Sequence, residues 1–205
     1  MKAKQNLICW YLLFCIFPFE LFGQQLKFYG IDVEDGLSQN TVWQLLQDRQ
    51  GFLWLATADG VDRYDGYRFE HYDINAQSRG GDGSSTLLSL YLDGDGQIWS
   101  SHKRGFHRYN PRTNQFDHLV VQNTGEGEGR SFIFYDDTTS IWTMVWKKGM
   151  MRFDKKTGKL LLADNRFAYQ GTDPVSYFSM TKVHDEIFFK GDGGFIICFN
   201  TKTLT

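Results

Sequence analysis

The sequence predicts an all-β fold made of β-propeller blades, each of four antiparallel strands, with about four blades in an incomplete ring. Three observations point there. One unit repeats about every 45 residues, a Trp holds the same place in three successive units, and each unit divides into four short strand-like runs separated by turn residues.

The repeat is visible when four segments are aligned. Residues 45–66 read LLQDRQGFLWLATADGVDRYDG and residues 90–111 read LYLDGDGQIWSSHKRGFHRYNP. Residues 133–155 read IFYDDTTSIWTMVWKKGMMRFDK, and residues 179–201 give a weaker copy, SMTKVHDEIFFKGDGGFIICFNT. Trp54, Trp99, Trp142 and Phe188 are 45, 43 and 46 residues apart, and Gly60, Gly105, Gly149 and Gly194 are 45, 44 and 45 apart. Tyr64, Tyr109, Phe153 and Phe199 keep the same period, and Asp48, Asp93 and Asp136 recur at a turn. Gly51 and Gly96 complete the set of repeat anchors.

Each strand follows from local pattern. In the first unit TVWQLLQ (41–47) is followed by a turn from Asp48 to Gly51. FLWLAT (52–57) is apolar on both faces, as expected of a strand covered on both sides. Ala58-Asp59-Gly60 is a hairpin signal, VDRYD (61–65) returns, and YRFEHYDI (67–74) alternates like an exposed outer strand. Such a sheet covers its faces only by stacking on neighbouring blades, so each Trp is expected to be a blade-to-blade wedge burying on the order of 200 Å². The expected blades are 34–74, 84–121, 130–165 and 175–205, with strand 26–33 as a ring-closing strand. A long solenoid of stacked β coils is the competing architecture; helix-period patterns are absent from residues 24–205.

Residues 1–23 stand apart. Lys2 and Lys4 precede an apolar run of thirteen, LICWYLLFCIFPF (7–19), and Gly23 supplies a small residue before Gln24. This is the pattern of a signal peptide, predicting an exported, periplasmic protein, or a tethered one if the segment is uncleaved. A thirteen-residue helix reaches only about 20 Å, short of a hydrocarbon core of roughly 30 Å. Without Lys2, Lys4 and Glu20 the chain keeps 20 basic and 23 acidic residues, with no basic block. A nucleic-acid partner is therefore not expected. Cys9 and Cys15 lie in the leader, which leaves Cys198 alone in an apolar run, expected as a small buried hydrophobe rather than one half of a disulfide.

Residues 36–72, GLSQNTVWQLLQDRQGFLWLATADGVDRYDGYRFEHY, resemble the opening of the two-component-regulator propellers, the periplasmic sensor regions of hybrid two-component systems. The family blade pattern D-x-x-G-x-[IL]-W-[IL]-G-T-x-x-G-[LIV]-x-R-[YF]-[DN] is matched by Asp48, Gly51, Leu53, Trp54, Leu55, Thr57, Gly60, Val61, Arg63, Tyr64 and Asp65, with Ala56 where the family has Gly. The second unit keeps Asp93, Gly96, Ile98, Trp99, Gly105, Arg108, Tyr109 and Asn110. The third keeps Asp136, Ile141, Trp142, Gly149, Arg152, Phe153 and Asp154, while the fourth has lost the Asp and the Trp. The resemblance implies an N-terminal fragment of a ligand-sensing or signalling ectodomain. It implies an oligosaccharide or other small extracellular ligand, homodimerisation of the full-length receptor, and kinase activity in modules outside this chain.

The residues themselves suggest no catalytic, cofactor or metal site. Asp48, Asp93 and Asp136, one per blade, are expected to shape turns and not to share a site. The run DGDG (93–96) lacks the Glu that completes a calcium loop. His71, His102, His107, His118 and His184 show no metal-ligand spacing, and Ser84, Ser85 and Ser100 lack a nucleophile elbow. The Gly-rich stretches 78–85 and 123–130 are expected as loops on one rim, where ligands of such folds bind. A secreted propeller lyase or glycosidase and a protein-interaction scaffold remain the alternative functions.

Overall fold

The structure is a computed structural model and describes residues 27–74, 89–102, 105–120, 131–145, 148–167, 180–190 and 196–205. The expected signal peptide and the Gly-rich stretches 78–85 and 123–130 lie outside these residues. Residues 31–205 form one compact unit.

The described residues hold fifteen strands in four antiparallel sheets, the successive blades of a β-propeller. Blade 1 is β1 (Val42–Gln47), β2 (Leu53–Thr57), β3 (Val61–Tyr64) and β4 (Phe69–Tyr72). Blade 2 is β5 (Ser89–Leu92), β6 (Ile98–His102), β7 (Gly105–Asn110) and β8 (Gln115–Val120). Blade 3 is β9 (Ser131–Asp136), β10 (Ser140–Val145), β11 (Gly149–Asp154) and β12 (Leu160–Asp164). Blade 4 has three strands, β13 (Met180–Val183), β14 (Glu186–Lys190) and β15 (Ile196–Asn200). In every sheet the strands pair in chain order, as short hairpins require.

The repeated glycines stand where a side chain has no room. At Gly60 (φ +152°) a Cβ would lie 2.4 Å from the Tyr72 carbonyl oxygen, and at Gly149 (φ +88°) one would lie 2.2 Å from that of Asp164. In both cases the hairpin before the third strand runs against the end of the outer strand, and only Gly allows that approach.

Three hydrophobic clusters join neighbouring blades. Trp54, Ala56, Val61 and Tyr72 of blade 1 pack with Leu90, Ile98 and Phe116 of blade 2. Trp99 and Phe106 of blade 2 pack with Ile133, Ile141, Met151 and Phe153 of blade 3. Phe134, Trp142 and Met150 of blade 3 pack with Ile187, Phe189, Ile197 and Phe199 of blade 4. Each Trp therefore points at the next blade, and all three are at most 2% exposed. Among the described residues no cluster joins blade 4 to blade 1. The inner strands reflect this: β5 and β9 are largely buried, whereas β13 is exposed throughout and β1 carries exposed Trp43 and Leu45.

Two expected features differ. Residues 27–32 form no strand; Phe28 and Tyr29 are exposed, and Val33–Asp35 form a 3-10 turn capped by Asp32. Among the described residues no strand pairs with the segment, and the capping box gives the amides of Asp32 and Glu34 local partners. Cys198, expected in the core, is exposed on β15; among the described residues blade 4 packs against a neighbour on one face only.

Candidate functional site

The polar groups of the chain gather at blade turns and along the seams. At the β1–β2 turn Asp48 accepts from the backbone amides of Gln50 and Phe52 and from the Trp54 indole N–H at 2.7 Å. Asp93 repeats this with the amides of Asp95 and Gln97 and the Trp99 indole at 2.9 Å. One carboxylate thus closes a turn and fixes the rotamer of the wedge six residues on. Across the strand pair an Arg lies over each Trp ring: Arg63 over Trp54, Arg108 over Trp99 and Arg152 over Trp142, at 5.6, 5.9 and 5.2 Å.

In blade 3 the turn role falls to Asp137 and not to Asp136. Asp137 accepts from the Thr139 and Ser140 amides and from the Trp142 indole. The β9–β10 turn is one residue shorter, closing from the Asp137 amide to the Ser140 carbonyl where blade 1 closes from Asp48 to Phe52. The signal was present in the sequence as a double Asp followed by no Gly.

Asp136 is thereby released for another purpose, and the expectation that the periodic carboxylates never meet is corrected. The Lys155 ammonium lies 2.8 Å from Asp136, 3.2 Å from Asp93 and 3.6 Å from Asp95. Asp136 also accepts from the Tyr91 hydroxyl at 2.7 Å and from the Gly94 amide. Burial alone would lower the Lys155 pKa, but the hydrogen bond to Asp136 and the charge of Asp93 outweigh it and hold the ammonium above its ordinary value of 10.5. Burial and the bond to Asp136 likewise push the Tyr91 hydroxyl far up, so it stays a donor. The DGDG run is thus committed to Trp99, its own turn and Lys155. Among the described residues no group of three His, Cys, Asp or Glu could hold a metal ion.

A second constellation, which sequence reasoning missed, centres on Asp62. This fully buried carboxylate accepts from the Ser38 amide at 2.8 Å, the Ser38 hydroxyl at 2.7 Å and His71 Nδ1 at 2.7 Å. Gly36 (φ +103°) ends the 3-10 turn and delivers Leu37, which is buried, and Ser38 to this site. Ser, His and Asp are the residue types of a hydrolase triad, but the connectivity is wrong for one. A nucleophilic Ser must give its proton to His, whereas here Ser38 and His71 both turn to Asp62. The arrangement pins the entry segment to blade 1. The sequence signal was the Gly-Leu-Ser run ahead of a strand with an inward Asp.

Between blades 1 and 2, Arg63 bonds Glu70 and the Tyr109 hydroxyl, and Asn114 bonds Glu70 while accepting from Tyr72 and Tyr109. Of the histidines, His107 is fully buried on β7 with its ring 4.8 Å from that of His118 on β8, and His184 sits in the β13–β14 turn at φ +54°. The remaining anchors Gly51, Gly96, Gly105, Tyr64 and Phe153 take positive φ at turns or line the blade faces.

The likeness to a known family falls on the Gly-Leu-Ser entry and the first Asp–Trp pair. Residues 36–59 match the model of the family described as "Two component regulator propeller". Over those residues the chain is similar to that family's repeat. One relative, "Histidine kinase P4" of Formosa agariphila, is 44% identical over 43 residues, which are 21% of this chain and 3% of the relative. Two solved extracellular domains from B. thetaiotaomicron share the fold. That of BT3049, described as a hybrid two component system, has a TM-score of 0.60 and 23% identity over 86% of this chain. That of BT4673 has a TM-score of 0.59 and 20% identity over 87% of this chain. The chain spans 25% and 23% of those two chains.

Proposed function

We propose that this regulator propeller is part of the ligand-sensing ectodomain of a two-component system, exported to the periplasm and non-catalytic in itself. Its ligand is an oligosaccharide or a similarly small extracellular molecule, and phosphotransfer resides in separate kinase modules of a homodimeric receptor. The observation that carries this reading is the family match over residues 36–59. The solved neighbours, themselves extracellular domains, support the same setting. The polar geometry agrees with it. Asp48, Asp62, Asp93 and Asp137 are each satisfied by turn amides or seam donors, which is how carboxylates hold a scaffold rigid.

A rigid scaffold signals by binding a ligand more tightly in one ectodomain arrangement than in another. The test is thermal unfolding of the purified chain with a panel of oligosaccharides. A single glycan class that raises the unfolding temperature in a concentration-dependent way is expected; at a hundred times Kd the gain is about 2.7 kcal/mol. No shift with any member at millimolar concentration would remove the glycan from the proposal. Cleavage of a panel member would replace sensing with catalysis.

A further inference from the structure

One row of blade 2 is polar where the fold asks for nothing polar. Residues directly opposite one another run Leu90, Ser100, His107 and His118 from β5 to β8. Cross-strand partners share a face with Cβ atoms about 5 Å apart, so the hydroxyl and both imidazoles stand side by side. The face is the one turned to blade 1. Leu90 packs there, as do Ile98 and Phe116, two residues before Ser100 and His118, against Trp54, Val61 and Ile74 of blade 1.

The same row in blade 3 is Ile133, Thr143, Met151 and Ala163. Ile133 and Met151 belong to the core of the next seam, so the row can be filled without an imidazole. Burying a polar ring costs solvation that Met and Ala do not lose. Two such rings in succession point to a use beyond packing.

Two observations say which use. His107 is fully buried, His118 is partly exposed, and their ring centroids are 4.8 Å apart with the planes tilted by 31°. Two imidazoles on one tetrahedral ion, with bonds of about 2.0–2.1 Å, place their centroids about 5 Å apart. The second observation is Ser100, whose Oγ is fully buried with no hydrogen-bond partner, beside His107. Thr143 Oγ1 shares that lack, but its neighbours Met151 and Ala163 offer no imidazole.

We propose that His107 and His118 hold one borderline divalent transition metal, of the zinc class, in the seam between blades 1 and 2. The Ser100 hydroxyl is the third donor and water completes the shell. Imidazole selects such ions over magnesium and calcium, which take oxygen ligands. The donor set is two imidazoles and a hydroxyl, distinct from a trio of His, Cys, Asp or Glu, of which the described residues hold none. The partly exposed His118 gives the ion its way in. The proposal is independent of the sensing function: zinc can bind whether or not a glycan does.

The test is calorimetric titration of zinc chloride, at about pH 7.5 where an ordinary imidazole is neutral, into the chain carrying Cys9→Ser, Cys15→Ser and Cys198→Ser. These substitutions remove competing thiols. One equivalent should bind, and the unfolding temperature should rise with zinc concentration. His118→Gln should lose that equivalent while unfolding cooperatively in chelator. His184→Asn, in a turn outside the row, should keep it. Should His118→Gln fail to fold, the imidazole proton resonances of the parent chain decide: those of His107 and His118 should shift together on adding zinc. No binding at about 1 mM zinc, a Kd above which no useful site exists, would overturn the proposal. So would unchanged binding in His118→Gln, or zinc shifts at other imidazoles only.

Discussion

Blades 1–3 and blade 4 are built on one repeat, yet they end in different states. Each of the first three carries an Asp that closes a turn, a Trp bonded to that Asp, and an Arg over the Trp ring. Blade 4 has Phe188 opposite Cys198, three strands among the described residues, and an inner strand exposed throughout. The wedge unit does not make the sheet, since β13–β14–β15 pairs in regular antiparallel register without it. What the unit makes is the seam. Blade sheets rest on local hairpin chemistry, and blade order rests on the Asp–Trp–Arg stack.

That distinction can be broken most directly by truncating the wedge. Trp99→Ala removes a side chain 1% exposed, its bond to Asp93 and the surface under Arg108, and should cost about 3–5 kcal/mol. Phe188→Ala, at the half-buried equivalent position, should cost about 1 kcal/mol. Urea unfolding of the two variants measures the contrast; equal losses would show that wedges stabilise blades individually.

The seam between blades 2 and 3 should respond almost as strongly to loss of one charge. Lys155 is 8% exposed and faces Asp93 and Asp136, so Lys155→Met leaves two carboxylates without their ammonium. Breaking a buried pair in this way costs about 3–5 kcal/mol. The raised pKa sets a sign as well: this stabilisation is complete below about 10.5 and is lost as pH rises through the higher folded value. A stability profile that falls at alkaline pH in the unsubstituted chain and falls less steeply in the Met variant would bear this out.

A smaller effect separates the adjacent carboxylates of blade 3. Asp137→Ala strips the Trp142 indole and two turn amides of their acceptor, at about 1–3 kcal/mol. Burial alone would raise the Asp137 carboxyl. The Thr139 amide, the Trp142 indole and Arg152 outweigh it and hold the carboxyl below its usual 3.8. Its contribution is therefore present above pH 3.8 and lost as pH falls further, so Asp137→Ala should flatten the acid limb of the stability curve.

The distinction between Asp136 and Asp137 also marks the limit of what the sequence made legible. Strand count, blade period and the inward Trp were readable because hydrophobic alternation and turn residues are local. Chain spacing placed Asp136 at the turn, because spacing cannot register a turn one residue shorter. The Lys155 cluster and the Asp62 site were invisible for a different reason. Each joins residues from separate strands or blades, such as Ser38 with His71, and only the register of the sheets brings them within reach. The exposure of Cys198 was missed because an apolar run records what a strand would bury against a neighbour, and among the described residues none lies on that face of blade 4.

The smallest expected effect compares blades 1 and 2 at one register position. Blade 1 pairs Asp62 with His71 across β3–β4, and blade 2 pairs His107 with His118 across β7–β8. In blade 1 a carboxylate faces the imidazole, whereas in blade 2 the facing group is a second imidazole. Burial holds His118 below its ordinary 6.5, so the unfolded chain takes up this proton before the folded one does. Stability should be level in this respect above pH 6.5 and should decline as pH drops below it, toward the lower folded value. His118→Gln should remove that part of the decline while leaving stability at pH 8 nearly unchanged. If the slope between pH 6.5 and 5 is the same in both proteins, His118 titrates alike in the folded and unfolded chain, and the difference between the two blades at this position has no electrostatic consequence.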